Sequence, residues 1–111
     1  MNFDWIASYP HCVTVCDSQG IIIAMNEVSR ENFKKYGGKD LMGSSLFDCH
    51  PPSANTIIRE QLASQTGHTY ITKSNDRTRL INQQPWYRDS SFGGLVETII
   101  ELPPDVFTKK R

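Results

Sequence analysis

Residues 17–26 read DSQGIIIAMN, and the architecture turns on what this stretch forms. Asp17-Ser18-Gln19-Gly20 is turn chemistry: a short acid that can accept from the backbone ahead of it, then a glycine free to take a positive φ. Before it, CVTVC (residues 12–16) alternates as a strand does; after it, Ile21 to Met25 is a β-branched, apolar run. The pair predicts a hairpin. Asn26 follows the second strand and can cap a helix through NEVSRENFKKYGG, with Glu27 in its first turn, Lys34 and Lys35 in its last, and Gly37-Gly38 as its stop. Val28, Phe33 and Tyr36 form the expected buried side.

Downstream, Lys39 to Phe47 reads as short helical turns, because Gly43 and its polar neighbours break any alternation. In SSLFDCHPPSAN (residues 44–55), Pro51-Pro52 ends one element and Ser53 is the expected N-cap of the next, a helix through ANTIIREQLAS. Its apolar positions, Ala54, Ile57, Ile58 and Leu62, recur at helical spacing. Gly67 stops that helix, and three strand-like runs follow: HTYITK, RTRLINQQPWY and GLVETIIEL. Ser74-Asn75-Asp76 separates the first two, and residues 89–94 the last two. In the final run Val96, Thr98, Ile100 and Leu102 share one face and Glu97 and Glu101 the other, which implies a buried face and a partly polar back.

Upstream, NFDWIASY (residues 2–9) places Phe3, Trp5, Ile6 and Tyr9 on one side of a short amphipathic lead-in helix. A lone hairpin is marginal, so the first two strands are expected to join the last three. The fold class is α+β: a five-stranded antiparallel sheet with helices packed on one face, plus the N-terminal helix. The expected organisation is a lead-in helix over residues 1–10, a domain over 11–103 and a tail over 104–111.

At 111 residues one domain is the default. Twelve basic and twelve acidic side chains balance, which gives no electrostatic reason for nucleic acid or an anionic membrane as partner. Cys12, Cys16 and Cys49 are an odd number, at spacings that suit neither a disulfide framework nor a four-ligand zinc site. They fit a reducing cytoplasm. The opening residues carry neither a basic n-region nor a long apolar run, so no signal peptide or membrane span is expected there.

The layout and its punctuating residues resemble the PAS sensory domain across roughly Cys12 to Leu102. Three pieces carry the likeness: the DSQGIIIAMN hairpin leading into a helix; YGGKDLMGSSLFD, similar to the family's Gly-Tyr…Asp-Leu-Ile-Gly-Lys segment; and QPWYRD…GGLVETIIEL, similar to its final hairpin. FDCHPP looks most like the PAS modules with His-Pro-Pro before the long helix. Glu101-Leu102-Pro103 stands where the family usually closes with Asp-Ile-Thr. The resemblance implies a sensory module that binds a small molecule or cofactor between helices and sheet and signals through a homodimer or a partner, as in two-component signalling or transcription regulation. At this length the effector is expected in a separate protein or beyond Arg111.

Several residues are candidates for that site. Leu80, Asn82, Gln84 and Trp86 share one strand face, mixing apolar walls with amides, and are expected to face the helices with Tyr70 beside them. Phe33, Phe47 and Ile57 would supply further walls. His50 is the candidate ligand-binding histidine and, if a haem is present, its axial ligand; the alternative is an imidazole hydrogen-bonded to a free carbonyl. Cys49 could be a redox-sensing thiolate or a buried apolar residue. Leu46-Phe47-Asp48-Cys49 stands where flavin photoreceptors of the family carry Asn-Cys-Arg-Phe, which argues against covalent flavin. The resident cofactor, if any, is open. An enzyme is the competing class, since small cone-shaped folds house isomerases with an Asp/His pair; Asp48 and His50 are two apart, on a turn they would diverge, and no second carboxylate is placed to orient the imidazole. The expectation is a binding module without catalysis.

Overall fold

The computed structural model describes residues 3–34, 41–48 and 50–111. Among these, helix α1 (Trp5–Ser8) precedes β1 (Cys12–Asp17), β2 (Ile22–Met25) and α2 (Glu27–Asn32). A 3-10 turn (Leu46–Asp48) leads to α3 (Pro52–Ser64), and β3 (His68–Ser74), β4 (Arg77–Arg88) and β5 (Ser91–Leu102) complete the chain. The strands form one antiparallel sheet in the order β2-β1-β5-β4-β3. The fold class expected from the sequence is present, with an N-terminal helix of only four residues.

The turns form for the reasons their residues suggest. Asp17 Oδ1 accepts from the amides of Gln19 (2.9 Å) and Ile21 (3.0 Å), and Gly20 takes φ +83°. Asn75-Asp76 and Asp89-Ser90 each have two consecutive positive φ values, the geometry of tight two-residue hairpin loops. The second is tighter than the loop expected over 89–94, so β5 begins at Ser91.

The helices depart from expectation at their ends. Asn26 caps α2 as expected, its side chain accepting from Ser29 N, but the helix closes at Asn32 with Phe33 as its C-cap. Tyr36 and the Gly37-Gly38 stop lie outside the described residues. Ser53 is not the cap of α3: Pro51 occupies that position and Pro52 begins the helix, a placement where proline's missing N–H costs no hydrogen bond.

Asn26 is the central fastener. It is fully buried; its Oδ1 accepts from Val13 N and Ser29 N, and its Nδ2 donates to the carbonyls of Tyr9 and His11. One amide thus ties the chain entering β1, β1 itself and the first turn of α2. Beside it Ile22, Met25, Phe33 and Leu41 form an apolar core, with Leu46 packed against them.

Candidate functional site

Cross-strand pairs fix which side of the sheet meets the helices. Thr14 in β1 lies opposite Glu97 in β5, which lies opposite Gln83 in β4, and directly paired residues share a face. Thr14's hydroxyl is hydrogen-bonded to that of Ser29 on α2. Cys12, Thr14, Gln83, Ile81, Arg79, Glu97, Ile99 and Glu101 therefore face the helices. Tyr70, opposite Ile81, joins them from β3.

This inverts the expected orientation. Leu80, Asn82, Gln84 and Trp86 lie on the far face, and Glu97 and Glu101 are on the helix side rather than the back. Trp86 shows why its bulk misleads. Its indole N–H crosses β5 at Gly93-Gly94 and donates to the Cys16 carbonyl at 2.9 Å. A Cβ on Gly93 would lie 2.4 Å from that ring, and one on Gly94 2.0 Å from Cys16 O. The two glycines make a side-chain-free channel for the indole on the far side. Asn82 there accepts from Thr69 and from Gln84, so both amides are engaged within the sheet.

The helix-side floor is polar. Gln83 Nε2 donates to Glu97 Oε2 at 2.7 Å. Burial raises the Glu97 carboxyl above its ordinary pKa, with the Gln83 hydrogen bond and the charge of His50 acting against it. Tyr70's phenol is raised by its own burial and then by Glu97, with Gln83 partly offsetting. Cys12 is pushed up to about 11, first by burial and then by Glu97, so its thiol stays protonated.

His50 points inward. Its Nδ1 lies 2.8 Å from Leu46 O, its ring meets Phe33 edge-on at 6.2 Å between centroids, and Glu97 is within its electrostatic reach. A carbonyl accepts only, so Nδ1 is the nitrogen that donates to Leu46 O, and Nε2 is the other polar atom of the ring. The carboxylate facing the imidazole is Glu97; Asp48 is exposed on the 3-10 turn.

Of the residues expected at the site, His50 and Phe33 meet on the helix side, and Tyr70, 38% exposed, lies on the same sheet face near Gln83 and Glu97. Phe47 instead packs on Gly20 at the β1–β2 turn, under the Arg59 guanidinium. Ile57 is half exposed and turned outward, while Asn55 and Gln61 take the buried side of α3 with Ile58. Asn55 Nδ2 donates to Phe47 O, but Asn55 Oδ1 and both polar side-chain atoms of Gln61 have no hydrogen-bond partner among the described residues. Cys49 lies outside the described residues. Glu97, Gln83 and Gln61 were missed by sequence reasoning; the signal available was the cross-strand parity of Glu97 and Gln83, which period-two alternation assigns to one face without saying which.

A family model described as the PAS fold matches residues 6–69. A search of curated protein sequences returned no match. Among solved structures, the chain is similar to the PAS domain of BvgS from Bordetella pertussis (TM-score 0.65, 16% identity, covering 90% of this chain and 82% of that one). A sensory box sensor histidine kinase from Vibrio cholerae superposes with TM-score 0.63 at 11% identity, over 86% of this chain and 84% of that one. The Aer2 receptor of Vibrio cholerae, described as a dual PAS-heme oxygen sensor, gives TM-score 0.60 at 14% identity, over 84% and 95%.

Proposed function

The chain belongs to the PAS family, and we propose that it is a sensory module that holds a small polar ligand between the helices and the sheet. The observation that carries this reading is the floor itself. Glu97, Gln83 and Tyr70 line the helix side, His50 faces them, and Gln61 lies buried on α3 with its amide unpaired. Buried polar atoms without partners are costly unless something hydrogen-bonds to them, so an occupant rich in donors and acceptors would stabilise the domain. Glu97 Oε2 is engaged by Gln83, which leaves Oε1 to accept from the ligand.

Signalling would proceed by population shift. A ligand bridging Glu97 and the His50 turn favours one arrangement of helices against sheet, and the arrangement is passed to a partner or to a second copy of the chain. The similarity to a sensor histidine kinase supports an output through such a signalling partner. No catalytic step is assigned.

Haem is the second reading, since His50 Nε2 has no hydrogen-bond partner among the described residues while Nδ1 is held by Leu46 O. The floor fits it poorly: a porphyrin face laid over Glu97 and Gln83 would bury a carboxylate and an amide against an apolar surface. We expect the purified protein to show no Soret band with added haem; a band that vanishes in His50→Ala would reverse this preference. For the polar-ligand reading, a thermal-shift screen of small hydrogen-bonding compounds should find stabilisers whose effect is lost in Glu97→Gln and kept in Trp86→Phe. Stabilisers that depend on Trp86 and ignore Glu97 would place the site on the wrong face and sink the proposal.

A further inference from the structure

A cavity of about 450 Å³ opens between α2 and the end of the sheet where β4 begins and β5 closes. Its volume falls within the ~300–1,000 Å³ of small-molecule pockets. Cys12 and Ile99 form its apolar floor, Val28 of α2 its wall, and Arg77, Arg79 and Glu101 its charged side. It lies on the helix face at the other end of β5 from Glu97, with Ile99 between.

The charges here are paired in an unexpected way. Arg79 is the direct cross-strand partner of Glu101. The carboxylate nevertheless takes the diagonal neighbour: Arg77 Nε donates to Glu101 Oε1 at 2.7 Å and Arg77 Nη2 to Oε2 at 2.6 Å. Both carboxylate oxygens are engaged in that fork. Arg79 is left partly buried, with no hydrogen bond or ion pair among the described residues. Glu31, the other acid lining the cavity, lies 3.9 Å from Lys34. The charge of Arg79 reaches Glu101, but with both carboxylate oxygens held by Arg77 the Arg79 guanidinium keeps its N–H donors without a hydrogen bond among the described residues, beside an apolar floor.

We propose that this cavity binds a monocarboxylate with a short apolar body, its carboxylate taken by Arg79 and its chain laid on Ile99, Cys12 and Val28. A guanidinium presents a planar fork that matches a carboxylate, and a partly desolvated one gains more from that partner than an exposed one does. Glu101 and Glu31 set the charge of the ligand: a dianion such as phosphate would be repelled by two carboxylates more strongly than a monoanion, which needs only the unused donors of Arg79. The site uses neither Glu97 nor His50 and stands independently of the polar-ligand reading.

The test is an amide NMR titration with sodium hexanoate, against hexan-1-ol, sodium phosphate and sodium chloride at matched ionic strength. Hexanoate should shift the amides of Cys12, Val28 and Ile99, and Arg79→Gln should weaken its binding about tenfold or more, as loss of a charge-assisted bond does. Arg77→Gln carries the sharper expectation: it releases Glu101 to its direct partner Arg79, and so should also weaken binding although Arg77 does not hold the ligand. Glu101→Gln and Glu97→Gln should retain it. The proposal is overturned if hexanol or chloride reproduces the shifts, if hexanoate gives none, or if Arg79→Gln binds as the parent does with its spectrum otherwise native.

Discussion

Replacing Asn26 by alanine should be among the most damaging single substitutions in this domain. The side chain is 0% exposed and makes four hydrogen bonds, accepting from Val13 N (3.1 Å) and Ser29 N (3.0 Å) and donating to Tyr9 O (3.1 Å) and His11 O (2.6 Å). Alanine leaves two buried amides and two carbonyls without that partner. Each orphan costs about 1–3 kcal/mol where water cannot replace the bond, and the helix cap alone accounts for about 1. Allowing for water entering the vacated space, the loss should be about 3–5 kcal/mol. Set against a typical domain stability of about 5–15 kcal/mol, that is a large fraction. With a urea slope of about 1.5 kcal/mol per molar, the midpoint followed by far-UV circular dichroism should fall by about 2–3 M. Asn26→Asp separates the two halves of the network. It keeps both accepted bonds but turns a carboxylate oxygen toward two carbonyls, so it should be as destabilising as alanine at neutral pH, while Asn26→Ser should recover part of the cap. An Asn26→Asp protein within about 1 kcal/mol of the parent would refute the reasoning, since the donated bonds would then contribute nothing.

Glu97→Gln should change the pH dependence of stability. Native Glu97 holds its proton to higher pH than the unfolded chain, whose value is near 4.5. The native state therefore loses stability as pH rises from that value through the native pKa. The glutamine variant should be more stable than the parent at pH 7 and equal to it below the unfolded pKa; urea midpoints that differ by the same amount at both ends would contradict the burial argument. Trp86→Phe removes the indole bond to Cys16 O and some packed area, and calorimetry should show a loss of about 1–2 kcal/mol. Gly94→Ala places a Cβ 2.0 Å from Cys16 O at a φ of +148°, and should cost at least ~3 kcal/mol by parting β1 from β5. Soluble Gly94→Ala protein with parental thermal stability would show that the sheet tolerates a shift there.

Much of the fold was legible because its signals are local. Asp17 to Gly20 closes a turn through atoms within four residues, and Asn26 caps the helix that follows it directly. The site was legible only in part. Proline before the long helix marked the His50 corner, and the carbonyl that holds the imidazole is only four residues back, at Leu46. The β4 face is inverted relative to the orientation that the bulk of Trp86 implies. What buries it is Gly93-Gly94 on the next strand, whose missing side chains let the indole lie across β5 on the far side. Ile57, expected on the buried side of α3, is half exposed while Gln61 is buried, for a related reason: helical spacing selects a stripe, and the packing partner sets where its centre falls.

The order of elements, the hairpin turns, the cap of α2 and which residues share a strand face all follow from the amino-acid order, since each depends on neighbours along the chain or on the period of the backbone. Which face met the helices was set by folding in three dimensions. That choice rests on contacts between distant segments: Thr14 with Ser29, Trp86 with Cys16, and Arg77 rather than Arg79 with Glu101. A strand's alternation is symmetric between its two faces, and only what packs against one of them breaks the symmetry.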